Sequence, residues 1–200
     1  MIRAVFRWRV GLATALTVLA FGVHAQPSAA PVKVMVETDA GTITLEIDLA
    51  HAPVTGANFL KYVDGGFYDG GRFHRTVTMD NQPTNKVKIE VIQGAASAER
   101  EKDYFAPIAL ERTSVTGLSH VDGALSMARD GPDTARDEFF ICIGPQPSLD
   151  FGGARNPDGQ GFAVFGRVTS GMDVVRKIQA GAAEKQALRP PVKIIRVKRM

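Results

Sequence analysis

The chain has 200 residues, 44% hydrophobic and 22% charged, which is enough apolar material for the core of a globular domain. Its 24 lysine and arginine residues exceed its 21 acidic residues by three. Arg3, Arg7 and Arg9 account for that excess, so from residue 26 onward 21 basic residues face 21 acidic ones. This balance argues against a nucleic-acid partner, which a cluster of positive charge would indicate.

The N-terminus has the pattern of a secretory signal. After the three arginines comes an apolar run over residues 10–23, shorter than the roughly 20 residues that span a membrane. Small residues around Ala25 predict a signal peptide over 1–25, delivery to a bacterial periplasm rather than the extracellular space, and no stable membrane association after cleavage. A retained anchor is the alternative. Residues 26–31 are small and Pro-rich and predict a disordered lead-in to one domain over 32–200.

The domain begins with the alternation of an antiparallel hairpin, in which apolar residues from Val32 and again from Ile43 flank a turn at residues 39–41. Pro53 suits the first turn of a helix, whose apolar spacing continues to Gly65. Short strand-like segments follow, then a second helix and a final strand. The segments are 72–77, 86–93, 124–128, 138–143 and 162–168, the helix is 172–180, and the strand is 192–197.

Seven or eight short strands with two helices indicate an all-β barrel or sandwich, which the two terminal strands could close by pairing. Cys142 is the only cysteine, so no intramolecular disulfide can form. Its apolar neighbours predict a buried packing residue rather than a reactive thiol.

Six short motifs occur between residues 66 and 168: Gly66-Phe67-Tyr68, Phe73-His74-Arg75, Ile92-Gln93-Gly94, Leu125-Ser126-Met127-Ala128, Glu138-Phe139-Phe140-Ile141 and Phe165-Gly166-Arg167-Val168. In their order and spacing they resemble the cyclophilin family, and the likeness extends from about residue 34 to residue 197. The resemblance implies a closed eight-stranded antiparallel barrel capped by two α-helices. It also implies a peptidyl-prolyl cis-trans isomerase that acts on proline-containing polypeptides and uses no cofactor.

Arg75 matches the arginine to which the family assigns catalysis, and Gln93 matches a glutamine that positions the substrate or that arginine. Rotation about an X-Pro bond breaks no covalent bond, but amide resonance opposes it with a barrier of about 18–20 kcal/mol. A catalyst need only bind the twisted amide better than the planar forms. A permanently charged guanidinium can donate to the proline nitrogen as its lone pair leaves resonance.

The resemblance also implies a substrate-binding surface. Phe140, Leu149 and Phe162 match the apolar lining of a proline socket, which lowers the dielectric around the arginine. Ala128 and Arg129 match a stretch whose backbone pairs with an extended substrate.

His74 matches a family histidine near the site. We expect it to form structural hydrogen bonds, since bond rotation requires no proton transfer. His51 and His120 have no metal-ligand spacing with it or with a cysteine, so we predict no metal site.

The sequence departs from the family pattern in three places. Residues 76–92 intervene where the family runs almost directly from the arginine to the glutamine, which predicts an inserted loop or hairpin close to the active face. Glu90 and Glu138 stand where the family commonly has phenylalanine and glutamine, so both join the substrate-binding candidates and predict a more acidic pocket. A carboxylate near Arg75 could orient it or weaken its field, and the sequence leaves both open.

Two other functions compete with the isomerase. The glutamates and the insertion are also compatible with a non-catalytic proline-binding or chaperone module on the same barrel. A serine or cysteine hydrolase is disfavoured because the chain has no Gly-x-Ser-x-Gly elbow and because Ser126 lies within a strand-like segment. We expect the protein to be a monomer.

Overall fold

The computed structural model describes Met1 and residues 30–200. Apart from Met1, the predicted signal peptide lies outside the described residues, as do residues 26–29 of the predicted lead-in. The strands are β1 Val32–Thr38, β2 Gly41–Ile47, β3 Arg72–Val77, β4 Val91–Ala95, β5 Ala124–Met127, β6 Phe139–Cys142, β7 Ala163–Ser170, β8 Ala183–Glu184 and β9 Ala187–Arg199. The α-helices are α1 Pro53–Asp64, the single turn α2 Thr113–Thr116, and α3 Met172–Gln179.

Eight strands form a closed antiparallel barrel in the order β1-β2-β7-β5-β6-β4-β3-β9, and pairing of β9 with β1 completes the ring. The predicted barrel is therefore confirmed, and its closure leaves these terminal strands without a free edge. The two-residue strand β8 pairs only with the start of β9. None of the helices among the described residues is long and apolar enough to cross a membrane.

The interior of the barrel is filled by alternate residues of the strands. On β1 and β2 the inward positions, such as Val34 and Leu45, are fully buried, while their sequence neighbours are not. Helix α1 begins at Pro53, where proline loses no helical hydrogen bond, and it covers one end of the barrel. Its buried Phe59 ring lies 5.1–5.5 Å from three other buried rings, those of Tyr68, Phe139 and Phe165.

A second apolar cluster lies on the opposite face of the strands that wall the barrel core. Because side chains alternate along β6, Phe139 and Ile141 belong to the first cluster, whereas Phe140 and Cys142 belong to the second. Cys142 is fully buried, and burial raises the pKa of its thiol well above the usual range, which confirms its packing role. This second cluster forms the floor of the candidate site.

The segment expected to be a strand from residue 86 becomes one only at Val91. Before that point the buried Gln82 side chain takes the place of a partner strand for Ile89: its Nε2 donates to the Ile89 carbonyl at 2.8 Å, and its Oε1 accepts the Ile89 N–H at 3.2 Å. Residues 78–90 therefore form a loop that is organised around the side-chain amide of Gln82.

Candidate active site

A groove with a volume of about 420 Å³ lies over the second apolar cluster, against β4 and β6. Of the ten site residues predicted from the sequence, eight line it. The lining also includes residues that were not predicted from the sequence, among them Ile89 and Arg155. The eight predicted residues are Arg75, Gln93, Ala128, Arg129, Glu138, Phe140, Leu149 and Phe162.

Arg75 is positioned by an irregularity in β3. The strand register shifts between Phe73 and Arg75 against both neighbouring strands, so that Phe73 points into the core while Arg75 faces the groove. Its guanidinium donates from Nη1 to Gln93 Oε1 at 2.8 Å, and from Nε and Nη2 to Gln186 Oε1 at 2.9 and 2.6 Å. Two amide oxygens thus fix the guanidinium without neutralising its charge.

Gln186 was not predicted from the sequence. It stands in the two-residue turn between β8 and β9, where Lys185 adopts the left-handed conformation with φ of 58°. The backbone carbonyl of Gln186 accepts the N–H of Thr76 at 2.9 Å, which fixes the turn beside β3. Neither its neighbours nor its spacing could have identified it, because only the β3–β9 pairing brings it to Arg75.

Gln93 links Arg75 to a carboxylate. Its Oε1 accepts from Arg75, and its Nε2 donates to Glu138 Oε2. Burial lowers the pKa of Arg75, and the nearby Glu138 carboxylate opposes that shift. Because an arginine titrates far above neutral pH, the guanidinium stays charged, and Glu138 acts on it through the intervening amide rather than by direct contact.

The floor of the groove is an apolar socket. The rings of Phe140 and Phe162 meet edge to face with centroids 5.4 Å apart, and Leu149 is 1% exposed beside them. The Arg129 guanidinium lies 5.0 Å from the centre of the Phe162 ring and pairs with Asp158 at 2.7 Å, so it closes one side of the socket. The Ala128 N–H already donates to the Glu138 carbonyl at 2.8 Å.

Two predicted site residues lie outside the groove. The Glu90 carboxylate accepts a hydrogen bond from Gln179 of α3 at 3.2 Å, because alternation along the segment turns its side chain away from Ile89 and Val91. His74 lines an adjacent depression, with its Nε2 3.9 Å from Glu138 Oε2. Burial lowers the pKa of His74 even though the Glu138 carboxylate opposes the shift. Of the two predicted glutamates, Glu138 therefore lines the groove, beside Asp130 and Asp137, and Glu90 does not.

A hydrogen-bonded serine, histidine and aspartate lie behind Phe140. His120 stacks on the Phe140 ring with centroids 5.9 Å apart and 9° between the planes. Its Nδ1 is 2.7 Å from Asp150 Oδ1 and its Nε2 is 2.9 Å from Ser126 Oγ. Ser126 is fully buried, and its Oγ is 3.0 Å from the Ala163 carbonyl oxygen, so no substrate can reach its hydroxyl. The three residues therefore pack behind the socket. Because Ser126 is inaccessible, it cannot act as the nucleophile that the hydrolase hypothesis requires.

These features define a class of closed β-barrel proteins in which a fixed guanidinium stands beside an apolar socket open to a polypeptide. The family model described as cyclophilin type peptidyl-prolyl cis-trans isomerase/CLD matches residues 33–199. The chain belongs to this family, and its activity is the cis-trans isomerisation of X-Pro bonds in proline-containing polypeptides.

Individual relatives agree with this assignment. A peptidyl-prolyl cis-trans isomerase of Streptomyces antibioticus is 38% identical over 149 residues, which cover 73% of this chain and 82% of that protein. Peptidyl-prolyl cis-trans isomerase A of Dickeya dadantii is 34% identical over 170 residues, covering 84% and 82% respectively. The crystal structure of a Cryptosporidium parvum cyclophilin type isomerase has a TM-score of 0.66 at 20% identity, covers 85% of this chain and 98% of its own, and supports the fold.

Proposed function

We propose that this isomerase acts on exported polypeptides in a bacterial periplasm, and that Arg75 is its principal catalytic residue. The observation that carries the catalytic assignment is the geometry of Arg75: a charged guanidinium held by two neutral amides in the wall of a groove with an apolar floor. A substrate proline seated on Phe140, Leu149 and Phe162 would bring its own amide next to this donor.

The reaction needs a donor whose interaction strengthens as the amide twists. In the planar amide the proline nitrogen has little basicity because its lone pair is shared with the carbonyl, and twisting localises that pair. A donor fixed beside the nitrogen therefore binds the transition state better than either ground state, which lowers the barrier. The donor moves little during rotation, because the bonds to Gln93 and Gln186 already hold it.

The surroundings of Arg75 strengthen this interaction. The phenylalanine and leucine floor excludes water when a proline ring covers it, and a lower local dielectric increases the attraction between the guanidinium and the developing lone pair. We assign Gln93 a positioning role through Arg75. Ala128 and Arg129, which stand along the groove, are assigned to contact with the extended substrate.

Replacement of Arg75 tests the catalytic assignment. Arg75→Ala should raise the activation free energy for a proline tetrapeptide by about 2 kcal/mol or more, because it removes a transition-state donor. This corresponds to a decrease of kcat/KM by roughly 30-fold. Arg75→Lys should recover only part of the loss, since an ammonium cannot span both amide oxygens. Arg167→Gln, which removes an exposed arginine bonded to Glu46, is the matched control and should keep full activity. Equal rates for Arg75→Ala and the unmodified enzyme would refute the assignment.

Export rests on the N-terminal sequence pattern and has its own test. We propose that cleavage after Ala25 releases a monomer that begins at Gln26. N-terminal sequencing of the protein from the periplasmic fraction should start at Gln26, and light scattering should give the mass of one chain. An intact N-terminus in the membrane fraction would contradict cleavage and support the alternative of a retained membrane anchor.

A further inference from the structure

Arg155 is a cation in the groove that the catalytic scheme does not use. It lies between β6 and β7, lines the same cavity as Arg75, and donates from Nη1 to Gln82 Oε1 at 2.9 Å and to the Val87 carbonyl at 2.7 Å. Both acceptors are neutral and belong to the 78–90 loop. Within residues 30–200 no carboxylate lies within 4.0 Å of this guanidinium, and its Nε and Nη2 have no hydrogen-bond acceptor.

Three charged residues of the groove, Arg155, Arg75 and Glu138, follow one another along β4. Arg155 is bonded to the segment just before the strand, Arg75 is opposite Gln93 in its middle, and Glu138 precedes the residue paired with Gly94 near its end. The strand β4 has five residues and extends roughly 15 Å. Arg155 and Glu138 therefore stand toward opposite ends of β4, with the catalytic guanidinium between them. The groove is also lined by the charged residues Arg129, Asp130, Arg136 and Asp137.

The charge of Arg155 has no carboxylate partner among residues 30–200. Burial and the neighbouring Arg75 both lower the pKa of Arg155, which means that the two guanidinium groups repel each other across the groove. Arg129, by contrast, is compensated by the Asp158 carboxylate. An anion placed beside Arg155 would relieve the repulsion and occupy its unused donors, and a substrate side chain can supply that anion.

We propose that Arg155 forms an anion subsite that recognises the carboxylate of an aspartate or glutamate flanking the substrate proline. The proposal rests on the isomerase function and adds a substrate class to it: X-Pro segments with an acidic neighbour on the side of the 78–90 loop. Gln82 and Val87 hold the guanidinium through Nη1, which leaves Nε and Nη2 to donate to the ligand.

Peptide selectivity tests the subsite. Three sets of proline peptides, with glutamate, glutamine or lysine placed before or after the X-Pro pair, are compared by kcat/KM at low salt. At one of the two flanks the glutamate peptide should exceed the glutamine peptide by about threefold to fivefold, the scale of a partly exposed ion pair. The preference should shrink at 0.5 M salt, because screening weakens the attraction.

Variants assign the preference to Arg155. Arg155→Gln should bring the glutamate-to-glutamine ratio to about one, and Arg155→Glu should make lysine the preferred residue at that flank. Arg176→Gln, which removes an exposed arginine bonded to Asp122 on the surface, should keep the unmodified ratio. Equal rates on all peptides, or an unchanged ratio in Arg155→Gln, would overturn the subsite and reduce Arg155 to a structural tie between two loops.

Failure of the anion subsite can be distinguished from failure of the isomerase function. If the protein accelerated none of the peptides, the catalytic proposal would fail, and the subsite would then be judged by titration calorimetry with the same peptides. Tighter binding of the glutamate peptide that Arg155→Gln abolishes would support the subsite, and equal Kd values would reject it.

Discussion

Arg75 is held by amide oxygens and not by a carboxylate. A direct ion pair would satisfy the guanidinium in the ground state and leave less of its field for the twisted amide. Gln93 and Gln186 fix the side chain while they keep its charge available, and Glu138 is separated from it by one amide. Of the two effects that the sequence left open for the carboxylate, this geometry favours orientation.

Substitutions of Glu138 distinguish orientation from charge. Glu138→Gln keeps an acceptor for Gln93 and removes the charge, and because the Glu138 side chain is 42% exposed the electrostatic change is screened. We expect kcat/KM to change by less than about threefold in Glu138→Gln and to fall further in Glu138→Ala, where Gln93 loses its acceptor. The measurement is the peptide isomerisation assay. If kcat/KM fell as much in Glu138→Gln as in Arg75→Ala, the charge of Glu138 and not its orienting hydrogen bond would be responsible.

At the scale of elements, the inserted segment is an ordered wall of the groove. The Gln82 side chain is 1% exposed and bonds to both backbone groups of Ile89, to the Thr78 carbonyl and to Arg155. One amide therefore connects the 78–90 loop to the loop before β7. The chaperone hypothesis depended partly on this insertion and on Glu90. The Glu90 carboxylate accepts a hydrogen bond from α3 and does not line the groove, which removes part of the support for that hypothesis.

Removal of the Gln82 amide should destabilise the protein measurably. Gln82→Ala leaves buried backbone groups of Ile89 and Thr78 without partners, so we expect the free energy of unfolding to fall by about 1–3 kcal/mol. Urea denaturation followed by circular dichroism gives the value. Lys86→Ala in the same loop replaces an exposed residue and should stay within about 0.5 kcal/mol of the unmodified protein. Equal stability of the two variants would contradict the role assigned to Gln82.

At the scale of the whole molecule, the same barrel wall contributes side chains to the stabilising core and to the candidate site. Residues of β6 alternate between the barrel core and the floor of the groove, so one strand serves both. Behind that floor His120 is buried between Asp150 and Ser126. Burial lowers the pKa of His120 although the Asp150 carboxylate opposes the shift, so the folded protein favours the neutral imidazole.

The stability of the protein should therefore decrease on acidification. A histidine whose pKa is lower in the folded state binds protons more readily when unfolded, so its contribution is present above about pH 6.5 and is lost as the pH falls through the folded pKa. Denaturant midpoints between pH 7.5 and 5 should show this decrease, and His120→Gln should flatten it. His74→Gln, which alters a partly exposed histidine whose pKa is also lowered, should retain most of the slope. A His120 ring that titrates above pH 6.5 by NMR would contradict the prediction.

Sequence alone determined the features that depend on local order. Alternation fixed the faces of β1 and β2, Pro53 and Gly65 bounded α1, and the Phe73-His74-Arg75 motif identified the arginine that faces the groove. The predicted strand over 86–93 is confirmed from residue 91 and wrong over 86–90, because Gln82 supplies side-chain bonds there where a strand would pair.

Only the tertiary structure decided what surrounds Arg75. Gln186 follows Arg75 by 111 positions in the chain and reaches it through the pairing of β3 with β9, and Arg155 reaches the groove through a loop bonded to another loop. Glu90 stands three residues before Gln93, yet it contacts α3 instead of the groove. Such contacts depend on strand register and loop packing, which bring together residues remote in the chain and which a local pattern of residue types does not encode.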